Sequence, residues 1–356
     1  EFYRHELQNV IASACLAHDI GNPAFGHSGE KAISRYFIEN AELEVEGMKL
    51  RDFFQRDQWE DFINFEGNAN AIRILTHQFY GKSQGGISLT FSTIAAIIKY
   101  PCESTAVDKA FKHRKKYGFF QSEKETIVKI FEALGVPREN ESPIIFSRHP
   151  FVYLTEAADD ICYRIIDFED AHRLGILPYE VVENLFIKLL EALRKDKTKP
   201  SSTQKVLSEL KDSNEKVSYL RAKCIGALTD AAAQVFIENN EKIIAGKYTG
   251  TLLDDLERDY PVLKEIYNHE TVVQIEIAGY NVMWDLLSLF IPAVLKTNPG
   301  PKDEKLLRII PSQFKVTKYT PYNRVLSVLD YVSGMTDPYA TELYRKLYGI
   351  DIPKHR

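Results

Sequence analysis

Residues 15–30 read Cys15-Leu-Ala-His18-Asp19-Ile-Gly21-Asn-Pro23-Ala-Phe-Gly26-His27-Ser28-Gly-Glu30, and this stretch decides how the rest of the chain is read. Upstream, Leu7, Val10, Ile11, Ala14 and Cys15 recur at helical spacing, one face of a helix that delivers His18 at its end. Gly21, Pro23 and Gly26 break the chain, and Ser28 is expected to cap a second helix carrying Glu30, Ile33, Tyr36 and Phe37. An imidazole beside a carboxylate, His18-Asp19, is a mixed N/O ligand pair for a divalent cation that keeps open positions. His27 and Glu30 stand at i, i+3 on one helical turn, where a carboxylate can orient an acid/base histidine. Alone, a His-Asp dipeptide also describes a hydrogen-bonded core histidine. The breaks and the second pair set this one apart.

At 356 residues, 44% apolar and with a net charge of −5, the chain is large enough for one big or two ordinary globular domains. So mild a charge argues against a protein whose main task is to coat nucleic acid. Cys15, Cys102, Cys162 and Cys224 are far apart, which suggests neither a zinc ribbon nor a disulfide framework and fits a cytoplasmic protein. The longest apolar run, Leu286–Leu295, is too short to span a bilayer, contains Pro292, and reads as a buried helix. No membrane partner is expected.

A 3.6-residue apolar period runs through roughly 2–18, 28–40, 68–79, 90–99, 123–134, 151–173, 179–195, 203–245, 251–268, 271–296 and 323–348. Leu43–Phe54 could hold a short hairpin, and no alternating run is long enough for a sheet. The spacing predicts an all-α, multi-helix fold, with a catalytic core over 1–195 and a helical C-terminal extension over 196–356 packed on it.

On the helix expected around 153–170, Leu154, Ala158, Ile161, Ile165 and Phe168 make an apolar stripe. Asp159, Tyr163 and Asp167 line up at i, i+4 and i+8 on the opposite face. Such an acidic line is ordinarily a solvated face, but a tyrosine in its middle suits a cleft better. Lys109–Lys116 is a basic run whose plain reading is a solvated helix face or a weak nucleic-acid patch.

The stretch 15–30 resembles the HD phosphohydrolase superfamily, and within it the deoxyguanosine triphosphate triphosphohydrolase (dGTPase-like) family. Glu156-Ala-Ala-Asp159-Asp160-Ile-x-Tyr163, Ile98-Lys99-Tyr100-Pro101, Lys116-Tyr-Gly118, Phe65-Glu66-Gly67-Asn68 and Asn323-Arg324-Val325 with Asp330-Tyr331 are similar to further strings of that family. The resemblance implies an HD-domain fold and metal-dependent hydrolysis of a deoxynucleoside triphosphate, dGTP favoured, to the deoxynucleoside and inorganic triphosphate. It implies Mn²⁺ or Mg²⁺ on His18, Asp19 and Asp159, with Asp160 the nearby alternative to Asp159, and a catalytic pair of His27 and Glu30. Tyr163 and Asp167 would flank the deoxyribose. Lys99, Tyr100, Lys116 and Arg324 would approach the phosphates, Asn68 would make a polar contact, and Tyr331 would pack near sugar or base. A homo-oligomer, with a nucleotide or single-stranded DNA effector, is implied in the same way.

The family's site also uses a first His from an earlier helix. His5 is too near His18 for that role, and the chain opens without Met inside a helical pattern, so a segment carrying that ligand is expected upstream. Two other readings stand beside this one: another HD enzyme, a nucleotidase or phosphodiesterase, and a catalytically silent nucleotide-binding subunit.

Overall fold

The apolar face read in residues 2–18 winds into α1 (Phe2–Ala17), which ends at His18 still in helical conformation. Phe25 and Gly26 then take left-handed backbone angles, φ 63° and 55°, and start α2 (Gly26–Glu39) two residues before Ser28. Ser28 is therefore not the cap. Its hydroxyl donates instead to the Glu276 carbonyl at 2.7 Å. A phenylalanine in the left-handed region is strained and persists only where its surroundings hold it. Here the Phe25 N–H donates to Asp337 Oδ1 at 2.8 Å, and the ring lies against Gly279.

The computed structural model describes residues 1–82, 86–194, 203–254, 270–314 and 320–351. They are mostly helical, as the periodicity predicts. After α2 come a hairpin of β1 (Glu44–Val45) and β2 (Met48–Lys49), then α3 (Arg56–Ile63), α4 (Gly67–Thr76), α5 (Phe91–Ile97) and α6 (Lys124–Ala133). A second antiparallel hairpin, β3 (Arg138–Glu141) and β4 (Ile144–Phe146), precedes α7 (Val152–Arg173), α8 (Tyr179–Ala192), α9 (Thr203–Glu209), α10 (Ser213–Glu238) and α11 (Asn240–Ile244). The chain ends in α12 (Glu270–Leu295), α13 (Pro301–Leu307), α14 (Pro321–Ser333) and α15 (Asp337–Leu347).

Two long periodic segments are broken where capping residues intervene. The 203–245 segment divides before Asp212, whose Oδ1 accepts from the Glu215 N–H at 2.9 Å. The 323–348 segment divides at Gly334, and Thr336 caps α15. In both, a side-chain acceptor at the break satisfies an orphan amide of the next helix. The expected helix 251–268 lies outside the described residues from 255 onward.

The described residues pack as two units, 1–148 with 274–356, and 149–273. These bounds differ from the 1–195 and 196–356 division expected from the sequence, because α7 and α8 pack with α10. In the first unit Ile33 and Phe37 of α2, Phe62 of α3, Met283, Leu286 and Phe290 of α12, and Val325 and Leu329 of α14 share one core. By length and composition Val272–Leu295 could cross a membrane. With Met283, Leu286, Leu287, Phe290 and Ile291 fully buried in that core, it is a core helix, as read for Leu286–Leu295. In the second unit Ile161, Ile165 and Phe168 of α7 meet Phe186 of α8 and Leu220 and Cys224 of α10. Leu154 and Ala158, expected in the same stripe, are only half-buried.

Candidate active site

The loop between α1 and α2 is tied to α4 by backbone. Gly21 lies so close that a Cβ there would stand 2.1 Å from both Ala71 N and Gly67 O. Asn70 of α4 donates to the Gly21 carbonyl at 2.8 Å. His18, at the end of α1, donates its Nδ1 proton to the Cys15 carbonyl at 2.7 Å. That bond fixes the tautomer and leaves Nε2 as the nitrogen that could ligate a cation. Nε2 stands 3.4 Å from Asp19 Oδ2, with the Asp19 side chain 65% exposed. One imidazole nitrogen and one exposed carboxylate, without thiolates, could hold a divalent cation that keeps open positions.

His27 and Glu30 meet as their spacing predicts, Nδ1 to Oε2 at 3.0 Å. The His27 side chain is 72% exposed while Glu30 is nearly buried, so the ring presents its free edge from an anchored base. The other Glu30 oxygen, Oε1, accepts the Gly67 N–H, the first amide of α4, at 2.7 Å. Gly67 allows that approach, since a Cβ there would meet Glu30 Oε1 at 2.7 Å and Asn22 Oδ1 at 2.5 Å. A carboxylate on a helix N-terminus sits where the helix dipole favours negative charge.

The Glu30 hydrogen bond raises the His27 pKa above the ordinary 6.5. Burial pushes the Glu30 carboxyl up, but the His27 hydrogen bond, the Lys116 charge and the Gly67 amide outweigh it and hold it below the usual range. Next in sequence, Glu66 is buried and accepts from Lys116 Nζ through both oxygens, at 2.8 and 2.7 Å, and from Asn68 Nδ2 at 2.7 Å. Burial, and then the Glu30 charge, push the Glu66 carboxyl up. His27, Glu30, Glu66 and Lys116 line one cleft of about 620 Å³, with Lys31, Arg35 and Tyr280 also on its wall.

The other residues singled out by sequence fall in several places. Lys99 and Tyr100 follow α5, Tyr100 buried and the Lys99 carbonyl accepting from Arg148 Nε at 3.1 Å. The basic run forms a short 3₁₀ turn, Lys112–Arg114, rather than a helix face. Its charge is partly offset by the ion pair of Arg114 with Asp108, and His113 Nε2 lies 3.0 Å from Glu139 Oε2. On α7, in the second unit, Asp159 and Asp167 are half-buried and Tyr163 is 49% exposed. Arg324 donates to the Lys296 carbonyl at 3.3 Å. Tyr331 sits in the core against Phe290 and Phe314, its hydroxyl 3.1 Å from that of Tyr339. Neither Arg324 nor Tyr331 lines the His27 cleft.

Glu66 was not singled out by the sequence reading, although it stood inside a quoted string. The available signal was an acidic residue directly before a glycine that opens a helix. Arg73 was also missed, and it ion-pairs with Asp330 and Glu123 in the interior.

Residues 261–346 match the family model of a phosphohydrolase-associated domain. Over 98% of its length the chain is 36% identical to a deoxyguanosinetriphosphate triphosphohydrolase-like protein of Synechocystis sp., covering 81% of that protein. It is 34% identical to one of Pseudomonas aeruginosa over 98% of the chain and 79% of the relative. A deoxyguanosinetriphosphate triphosphohydrolase of Serratia proteamaculans is 29% identical over 97% of the chain and 79% of that protein. Hydrolases of this kind typically bind metal ions.

Proposed function

Since the chain belongs to the deoxyguanosinetriphosphate triphosphohydrolase-like family, we propose that it hydrolyses a deoxynucleoside triphosphate to the deoxynucleoside and inorganic triphosphate, with dGTP the leading substrate. The observation that carries this reading is the His27–Glu30 pair, an exposed imidazole oriented by a carboxylate that is itself seated on a helix N-terminus. With Nδ1–H given to Glu30, Nε2 is the nitrogen that handles protons. Water adds to the α-phosphorus and the bond from phosphorus to the 5′ oxygen breaks, so the triphosphate leaves whole. His27 serves this step as acid or base, toward the 5′ oxygen or the attacking water, and Glu30 keeps its ring and tautomer in place.

His18, Asp19 and Asp159 are the proposed ligands of Mn²⁺ or Mg²⁺. Such an ion, when bound, offsets charge on an α-phosphate oxygen. The His18 tautomer and the all-N/O donor set support this. We assign Tyr163 and Asp167 to the deoxyribose, Lys99, Tyr100 and Arg324 to the phosphates, and Tyr331 to the surroundings of sugar or base. A homo-oligomer in the cytoplasm belongs to the same proposal, and sedimentation of the purified chain tests the assembly.

The deciding experiment separates the products formed from a panel of dNTPs and NTPs. Release of triphosphate with free deoxynucleoside is the expected result. Orthophosphate release would reject attack at the α-phosphorus in favour of a phosphatase, and binding without turnover would favour a silent nucleotide-binding subunit.

A further inference from the structure

Glu66 is the least expected member of the cleft. It is a nearly buried carboxylate that touches neither His27 nor Glu30, yet it is covalently next to Gly67, whose N–H Glu30 accepts. We propose that Glu66 is a positioning residue for the hydrolysis: by gripping Lys116 and Asn68 at the start of α4, it fixes where the His27–Glu30 pair stands. The proposal rests on the reaction proposed above only for its rate readout.

The grip has fixed partners on both sides. Lys116 is followed by Tyr117, fully buried, whose hydroxyl donates to the Asp61 carbonyl at 2.7 Å. Gly118 N–H donates to the Cys102 carbonyl at 3.2 Å, so the backbone that carries Lys116 is pinned. Its ammonium therefore meets Glu66 from a set direction, and both carboxylate oxygens receive it. Asn68, the second residue of α4, donates to the same Oε1. Displacing Lys116 toward a substrate phosphate would leave a buried carboxylate without its counter-charge, which is costly. The expected phosphate contact is thereby committed elsewhere.

The charges also alternate through the cleft in a usable order. Glu30 and Glu66 are like charges on either side of the Glu66–Gly67 peptide unit, and Lys116 is the cation that both share. Toward His27, Lys116 disfavours protonation while Glu66 and Glu30 favour it, and Lys31 and Arg35 of α2 complete the charged wall. The Glu66–Lys116 pair thus acts on His27 through position and charge without touching it.

The test follows the His27 imidazole by NMR titration, alongside kcat and KM for dGTP, in Glu66→Gln and in Lys116→Met. If either single variant folds poorly, the double variant Glu66→Gln/Lys116→Met, which strands neither charge, should show the same kcat loss. The titration midpoint should fall by about half a pH unit in Glu66→Gln and rise by a similar amount in Lys116→Met. In both variants kcat should drop about tenfold with KM within about twofold, the pattern of a displaced catalytic group rather than a lost binding contact. A Lys116→Met protein with raised KM, unchanged kcat and an unmoved midpoint would overturn the proposal and return Lys116 to the phosphate. If wild-type protein released no triphosphate, the reaction proposed above would fail, while unmoved midpoints in both variants would separately overturn any action of Glu66 on His27.

Discussion

The two ends of α4 each carry a cluster of acidic and basic side chains, and the clusters differ above all in access to water. At the first turn, Glu30 and Glu66 share Lys116, and one member of the group, His27, stands 72% exposed. Toward the last turn, Arg73 reaches Asp330 through Nε and Nη2 at 2.6 and 2.7 Å, and Glu123 through Nη1 at 2.8 Å. All three of those side chains are 3–4% exposed. In the closed cluster every charge is spent on a neighbour. Burial pushes the Glu123 carboxyl up, but the Arg73 charge and its hydrogen bonds outweigh that and hold it down. The open cluster keeps one imidazole edge unspent, and an unspent edge in a cleft is what proton transfer requires. If the proposed reaction holds, one helix separates a structural use of charge from a chemical one.

The largest expected effect breaks the open end. His27→Ala should lower turnover by about two to four orders of magnitude, the usual range for an acid/base group. Its thermal midpoint should barely move, because the removed ring is mostly solvated. A variant that loses stability but keeps full activity per folded molecule would make His27 a loop fastener and erase the contrast.

At the closed end, Arg73→Met should cost about 3–5 kcal/mol in denaturant unfolding, since it strands two buried carboxylates. Activity per folded molecule should stay within about twofold of wild type. A rate loss without a stability loss would reverse the roles of the two clusters.

Glu30→Gln sharpens the comparison with a smaller effect, about a tenfold loss in kcat. The His27 pKa is raised chiefly by the Glu30 hydrogen bond, so the amide should bring it down. If His27 works as a base, the acidic limb of the rate profile should then move to lower pH. A limb that stays in place would detach Glu30 from the proton chemistry.

A fourth effect, read in stability and not in rate, concerns a buried acid with no cation beside it among the described residues. Asp61 accepts from Ser104 Oγ, Tyr322 Oη and Gln121 N, and burial pushes its pKa up to about 7. Between its ordinary 3.8 and about 7, the folded state holds a proton that the unfolded state has lost. Stability should therefore fall as pH rises through that window, by at most about 1.4 kcal/mol per pH unit. Asp61→Asn should flatten the slope in unfolding measured from pH 4 to 7, and an unchanged slope would assign it to other groups.

How far the sequence could be read depended on the distance between partners. Helical periodicity located α1, α2, α7, α8 and α12 closely because it records which face is buried. It missed α3 and α13, which are only 8 and 7 residues long, and the β3–β4 hairpin. The Ser28 cap failed because a left-handed Phe25 is stable only through Asp337 and Gly279, more than 250 residues away in sequence.

From the sequence alone came the mostly helical class, the family, and the His27–Glu30 contact, because an i, i+3 pair meets wherever its helix forms. The tertiary structure decided what that pair rests on. Glu30 reaches Gly67 across 37 residues, Lys116 reaches Glu66 across 50, and Arg73 reaches Asp330 across 257. A charged residue in a sequence does not specify its partner. Only packing, by excluding water around Glu66 and leaving His27 in it, settled which charges neutralise one another and which remain free to react.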